Sequence, residues 1–263
     1  MFNFVYKNVD FSHKLDVASK PTENYYKHLH YFNEILYFIK GDVLYNVEGE
    51  VRKLQEGDIV VIPSGMYHFA MVNSSSTYER YVLKFTNDVL PEFLADKIKE
   101  MGPFFPNQKK YSVVFDEFDT YFGKYSDDEL HTLFLSETVR MLVLLCHAQT
   151  HALNQSTGII DRLVKHIDEN IREPITLDSL AENFNFSKSY ISNEFRKAMK
   201  IPIMQYVRAK KIIAAHRLIL NGEKKRVVAE MFSFDDYSTF YRSYVKVMGF
   251  SPTDIKKQSI KLS

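Results

Sequence analysis

Residues 176–200 read TLDSLAENFNFSKSYISNEFRKAMK, and their spacing predicts two short helices meeting at a sharp turn. The first runs over Leu177–Phe184, the chain turns at Asn185-Phe186, and Ser187 is placed to cap the second helix through its hydroxyl. In that arrangement Leu180 and Ala181 pack against Ile191 and Phe195, which is the inner seam of a helix-turn-helix. Lys188, Ser189, Ser192 and Asn193 are left on the outward face. Short polar groups at the start of a second helix suit base edges in a major groove, and Lys188, Arg196 and Lys197 suit phosphates.

The layout returns in KKRVVAEMFSFDDYSTFYRSYVKVMGFSP, residues 224–252. Here a helix over Val227–Met231, a turn at Phe232-Ser233-Phe234 and a helix starting near Asp235 or Asp236 are predicted. Phe240 and Tyr244 read as core, whereas Asp236, Tyr237, Ser238, Tyr241 and Arg242 read as candidate contacts to DNA. Between the two motifs PIMQYVRAKKIIAAHRLIL, residues 202–220, forms one long helix, with Met204, Val207, Ala214, Ala215 and Leu218 as its buried stripe. Such a spacer fixes the distance between two reading heads.

Charge separates this region from the rest. Residues 1–157 carry 15 Lys/Arg against 21 Asp/Glu, and residues 158–263 carry 19 against 12, although the whole chain has a net charge of only +1. A basic half joined to an acidic half points to a polyanion partner for one domain, double-stranded DNA in this reading. The lone Cys146 lies in the apolar run MLVLLCHA and reads as core, with no internal disulfide available to it. No apolar run approaches the length of a membrane helix and the first residues do not resemble a signal peptide, so no membrane partner and a cytoplasmic address are expected.

The acidic half begins with short apolar or alternating runs, FNFVY, EILYFI, VLYNV, IVVIP and YERYVLKF, separated by the turns Gly41-Asp42, Glu48-Gly49 and Gly57-Asp58. In the last run Tyr81, Leu83 and Phe85 share one face, and Arg80 and Lys84 the other. This is the pattern of a sandwich or barrel over residues 1–87. Residues 88–157 turn helical, ending in a long segment capped by Ser126. Its Leu130, Leu133, Phe134, Met141, Leu142, Leu145 and Ala148 recur at helical spacing. That stripe packs either on its own barrel or on a second copy, and this segment is read as a dimerisation and linker region of a homodimer, with NQSTG at 154–158 as the link.

Taken together, the pattern LA-x5-S-x2-YI-x3-F, then Tyr206, Ala215 and Leu218, then A-x4-F-x5-F-x8-GFSP resembles the C-terminal domain of the AraC/XylS transcription regulators over residues 160–257. The resemblance implies a bacterial, sequence-specific DNA-binding transcription regulator whose residues 158–263 form an all-α module of two helix-turn-helix motifs. Departures from the family's usual residues are Lys200 and Ser233 in place of Gly, Lys211 and Lys256 in place of Arg, and Lys225 at a position commonly aliphatic. A left-handed residue with a side chain costs on the order of 1 kcal/mol, so Ser233 is the departure that bears on geometry.

The stretch HLHYFNEILYFIKG, residues 28–41, places His28, His30 and Glu34 at even spacing, so that in a strand they share one face. With Gly41 it forms the first cupin motif, and Gly57, Pro63, Ser64, Gly65 and His68 resemble the second. Three imidazoles and a carboxylate can hold a divalent transition metal such as zinc, iron, manganese, nickel or copper, which would make the chain a cupin metalloenzyme with an accessory helical domain. The other reading needs no cofactor: His28, His30, Glu34 and His68 line a pocket for a small-molecule effector. A sensor accounts for the whole chain and an enzyme for half of it. The expected architecture is therefore α+β and multidomain, a cupin-like β-barrel followed by the all-α module, and the expected role is regulation, not catalysis.

Overall fold

The computed structural model describes residues 3–17, 22–73, 77–148 and 158–254. Most of the 154–158 link, and Lys256, therefore lie outside the described residues. Ten strands form two antiparallel sheets among the described residues. The strands are β1 (Asn3–Tyr6), β2 (Val9–Val17), β3 (Thr22–His28), β4 (Asn33–Lys40), β5 (Val43–Val47), β6 (Glu50–Lys53), β7 (Ile59–Ile62), β8 (His68–Val72), β9 (Thr77–Phe85) and β10 (Phe104–Phe105). One sheet has the order β1-β2-β9-β4-β7-β10 and the other β3-β8-β5-β6. Leu36, Phe38, Val43, Tyr45, Val60, Ile62, Val72 and Tyr78 fill the space between them. β2, β3, β6, β8 and β10 were not among the runs picked out by apolar alternation. In β2, VDFSHKLDV, the pattern is broken by polar residues on the face that points into the barrel, where Asp10 and Ser12 are buried.

Both sheets are covered on their outer faces, which gives the molecule four layers. The six-stranded sheet is covered by α1 (Glu92–Glu100), α2 (Ser112–Tyr121) and α3 (Asp127–Ala148), whose Leu94, Ile98, Phe115, Phe118, Leu130, Phe134, Met141 and Leu145 share one core with Phe11, Ile35, Tyr81 and Leu83. The long helical stripe is therefore satisfied by its own barrel, and β10, beyond residue 87, pairs with β7. Cys146 is half-buried, its Sγ 3.7 Å from Met101 Sδ. Contrary to the sequence expectation, α3 is long and apolar enough to cross a membrane by length and composition alone, the one described helix that is, and here it packs on the barrel.

The outer face of the four-stranded sheet carries Tyr67, Phe69 and Met71 into a core shared with the C-terminal helices. These are α4 (Ile159–Glu169), α5 (Leu177–Phe184), α6 (Lys188–Met199), α7 (Ile203–Leu220), α8 (Lys225–Met231) and α9 (Tyr237–Met248). α7 differs from the expected one-sided spacer. Met204, Ala214 and Leu218 are only partly buried, while Ile203, Tyr206, Lys210, Lys211, Ile212, Ile213, His216 and Ile219 are buried with Val207 and Ala215. The helix is enclosed on nearly all sides because the barrel occupies the face that two helix-turn-helix units would leave open.

Phe134 is central to the first of these layers, with its ring 5.1 Å from Phe4, 5.0 Å from Phe11 and 4.4 Å from Phe118. Phe134→Ala should cost about 3–5 kcal/mol in urea unfolding of the full chain. A loss below about 1 kcal/mol would mean that α3 is not seated on the barrel.

Candidate functional site

Two regions carry the residues singled out by the sequence. In the barrel, β3 ends on His28, β8 begins on His68 directly across the ladder, and β4 presents Glu34 to the same space. His30 enters from the connection between β3 and β4. The imidazole centroids of His28 and His30 lie 4.3 Å and 4.8 Å from that of His68, and one ligand atom from each of the four residues falls within 4.8 Å of all the others. His30, Glu34 and His68 are buried and His28 lies at the rim.

The hydrogen bonds fix how these rings face. His30 Nδ1 donates to Phe32 O at 2.8 Å and His68 Nδ1 to Met66 O at 3.0 Å, which turns each Nε2 inwards. Both Nε2 atoms are buried without a hydrogen-bond partner among the described residues, and the Glu34 carboxylate approaches His30 Nε2 to 3.4 Å. Imidazoles oriented through Nδ1 by carbonyls, with Nε2 convergent on a carboxylate, are the arrangement by which proteins hold a transition metal. The four residues fit such an ion. Burial, with the neighbouring His28 and His30, pushes His68 well below the ordinary histidine range. Burial opposes the charge on Glu34, yet His30, His68 and Lys84 outweigh it and hold the carboxyl below its usual range.

Several groups of this interior were not legible as site residues. Lys84 on β9 is register partner to Asp10 on β2 and to Glu34 on β4, so it stands between two carboxylates inside the barrel. Arg80 pairs with Asp16 and is 4% exposed, and Lys14 is its cross-strand neighbour. Burial and the adjacent Lys84 lower the Lys14 ammonium. The charged face of YERYVLKF thus lines the inside, and its apolar face meets the helices.

The two helix-turn-helix motifs form with caps that the sequence supports. Thr176 and Ser179 make a reciprocal capping box on α5, Ser187 Oγ accepts from Tyr190 N at 3.1 Å, and Asp236 accepts from Thr239 N at 2.7 Å. The two non-glycine departures take left-handed backbone, Lys200 at φ 57° and Ser233 at φ 55°. The Ser233 hydroxyl donates to Arg172 O at 2.6 Å, an interaction that offsets part of the strain and that glycine could not make. Lys211 donates to Glu173 O at 2.7 Å and to Phe232 O at 2.8 Å, so its charge ties α7 to the turn of the second motif.

On the outward faces, Lys188, Ser189, Asn193, Arg196, Lys197, Ser238, Tyr241 and Arg242 are exposed, and Ser192 is partly buried. Tyr237 departs from its expected outward position. It packs 5.8 Å from Phe240, partly buried. Asp236 is occupied as the helix cap, an anion whose charge opposes a phosphate and favours the helix N-terminus. Lys188 is ion-paired with Asp178 of the first helix. Sequence reasoning passed over Phe186 and Tyr190, which are both exposed and stacked 4.7 Å apart at the start of α6. Exposed large aromatics beside a capped helix N-terminus were the available signal.

Comparison with known proteins agrees with this architecture. An AraC-like ligand binding domain matches residues 16–143 and a helix-turn-helix domain residues 180–258. The chain is 23% identical to the uncharacterized HTH-type transcriptional regulator YdiP of Escherichia coli over 237 residues, 86% of this chain and 78% of that protein. It is 27% identical to the putative HTH-type transcriptional regulator YkgA of Escherichia coli over 99 residues, which is 37% of this chain and 41% of YkgA, less than half of that relative's length. Among solved structures, ToxT from Vibrio cholerae aligns over 95% of this chain and 98% of its own, at 10% identity and a TM-score of 0.41. The two domain matches define a regulator with a ligand-binding domain ahead of a DNA-binding one. The chain is an AraC-family regulator with an N-terminal ligand-binding domain.

His216 of α7 joins the two regions. Its Nδ1 accepts from Tyr244 Oη at 2.5 Å, and its ring meets the edge of Tyr31, one residue from His30, at 4.5 Å. Burial, with Arg217 beside it, lowers the imidazole from 6.5 to about 4. Because the folded value is depressed, the stability it contributes is fully present above pH 6.5 and lost as the pH falls towards 4. His216→Phe should flatten the decline of unfolding free energy across that window by about 2 kcal/mol. An unchanged pH profile would show that His216 is solvated in the folded chain.

Proposed function

We propose that this chain is a bacterial, cytoplasmic transcription regulator that acts on sequence-specific double-stranded DNA and not as an enzyme. In this reading the His28, His30, Glu34 and His68 cluster is its sensing site. The observation that carries the reading is the pairing of two outward-facing, basic second helices with a buried polar cluster in one chain. Lys188, Ser189, Ser192, Asn193, Arg196 and Lys197 serve the first reading head. Tyr241, Arg242 and Ser238 serve the second, with Tyr237 and Asp236 in supporting positions. Tyr190 and Phe186 add an apolar contact to the sugar-phosphate backbone. Residues 1–87 act as the barrel, 88–157 as its helical cover and link, and 158–263 as the DNA-binding domain. The exposed Leu144 on α3 and Val113 on α2 favour a homodimer through this cover.

A divalent transition metal ion at the cluster would be held by the three histidines and Glu34. It would supply a Lewis-acid centre for an oxygen or nitrogen donor of the effector. The surrounding residues act independently of it: Phe32 O and Met66 O orient His30 and His68, and Lys84 balances the charge of Glu34.

Two heads on one rigid helix should protect two unlike elements about 10 base pairs apart on one face of the duplex, as read by hydroxyl-radical footprinting on a selected site. Arg242→Ala should cost about 1–3 kcal/mol and relax preference at one base, whereas Lys197→Ala should weaken all sequences alike and lower the salt slope by about one counterion. Full-length protein with no preference among selected sequences, or with both variants unchanged, would contradict the assignment.

A further inference from the structure

The segments that bear the cluster also bear the contacts to α7. Strand alternation does this on β8, where His68 points into the barrel and its neighbours Tyr67 and Phe69 point into the core shared with α4–α7. The β3–β4 connection does it again, with His30 at the cluster and Tyr31 against His216. No residue intervenes between sensing and contact in either segment.

Two hydrogen-bonded bridges run to the spacer helix, one from the His68 imidazole and one from the His30 backbone carbonyl. In one, His68 is tied to Met66 O, and the next residue, Tyr67, exchanges two bonds with Glu48: Tyr67 N donates to Glu48 Oε1 and Glu48 N to Tyr67 O, both at 2.9 Å. Glu48 then accepts from Tyr206 Oη at 2.5 Å and from Lys210 Nζ at 3.0 Å, both on α7. In the other, Gly65 N donates to His30 O at 2.8 Å, and the adjacent Ser64 O accepts from Arg217 Nη2 at 2.7 Å. Both bridges leave the cluster from a ring-bearing residue and reach α7 within a few bonds.

We infer that ligation of the His28–His30–Glu34–His68 cluster by a divalent transition metal ion loosens the barrel's hold on α7 through these two bridges. The inference rests on the cluster being the sensing site. Donor atoms spread over as much as 4.8 Å must close to about 3 Å between adjacent positions and about 4.2 Å across an ion, for bonds of about 2.0–2.1 Å. Closure draws His30 and His68 inwards. Tyr31 and Tyr67, fixed to them by one peptide bond each, then retreat from His216 and Tyr206, and Glu48 and Ser64 move with them. A packed interface answers such a shift by separating, not by stretching. Freed from the barrel, α7 can set the two reading heads to the spacing of a duplex.

Linkage makes the inference testable without knowing the operator, because whatever undocks the barrel must tighten the ion by the same factor by which the ion undocks the barrel. The probe is Co(II), titrated into full-length protein and followed by its d–d absorption and by calorimetry, with hydrogen–deuterium exchange measured on the same samples. Co(II) should bind with one-to-one stoichiometry and raise exchange across Ile203–Leu220. Glu48→Gln and, independently, Arg217→Gln, neither of which touches the cluster, should each tighten Co(II) by at least about fivefold. His68→Ala should remove both the absorption and the change in exchange. Binding with variant affinities within about twofold of the parent, or with exchange changes confined to the barrel strands or a slowed α7, overturns the inference alone. No Co(II) binding overturns the inference and the metal reading together, while the DNA-binding reading is decided separately by the footprint.

Discussion

The contact between Lys210 and Glu48 is the constraint on which the arrangement of the two domains depends. Lys210 is 8% exposed, and its ammonium lies between Glu48 of the barrel and Asp168 of α4, at 3.0 and 2.9 Å. Burial disfavours its charge, but the two carboxylates outweigh burial and raise it, so the lysine stays ionised where water is nearly excluded. Burial also raises Glu48, against the pull of Lys210. Such a contact cannot be broken cheaply, since removing Lys210 leaves Glu48 buried without its cation, and removing Glu48 leaves the buried ammonium to Asp168 alone. The turn that delivers Glu48 is built for the purpose. Glu48 at φ 51° and Gly49 at φ 94° form the tip of the β5–β6 hairpin, and a side chain at Gly49 would come within 2.8 Å of Ile160. Asn46, fully buried, holds the tip through Gly49 N and donates to Ala198 O on α6.

From that contact the layering follows. A hairpin inserted beside α7 brings the outer face of the four-stranded sheet against α4–α7, where Tyr67, Phe69 and Met71 complete a core that the helices alone would leave open. The six-stranded sheet is closed on its other face by α1–α3. With both sheets covered, the barrel interior is the space left for charge, and there Asp10, Glu34, Arg80 and Lys84 are buried with the histidines. No separate relay is needed between the barrel interior and the helices, because β8 places His68 inside the barrel and the next residue, Phe69, in the core shared with α4–α7.

How much of this was legible in the sequence depended on the range of the interaction. The first helix-turn-helix was readable to its cap, because Ser187, the Leu180 and Ile191 seam and the Asn185 turn are all local features, and Asn185 takes the left-handed backbone that asparagine tolerates. The His/Glu cluster was readable as a set of residues but not in its geometry. His28 ends β3, His30 lies in the connection and Glu34 sits on β4 of the other sheet, so the three meet across the barrel and do not share one strand face. The cross-strand pair of His28 with His68 completes the set. The spacer helix was misread on the side that meets the barrel. Lys210 and Arg217 look like a solvated face until Glu48, 162 residues from Lys210, and Ser64, 153 from Arg217, are brought against them. The inside of the barrel was hidden for a related reason. Alternation in YERYVLKF separates two faces but does not say which is inside when both are covered, and here the charged one is. Tyr237 looked outward by helical period, yet the neighbouring Phe240 and Phe234 leave it half in the core.

Glu48 and Lys210 act as one interaction that joins the barrel to the DNA-binding helices. A double-mutant cycle on the full-length chain, with Glu48→Gln, Lys210→Met and the double variant unfolded in urea, measures that interaction without counting what each side chain contributes elsewhere. The account predicts a coupling of about 2–3 kcal/mol, with the double variant closer to the parent than either single change. A coupling below about 0.5 kcal/mol, with additive single effects, would contradict it.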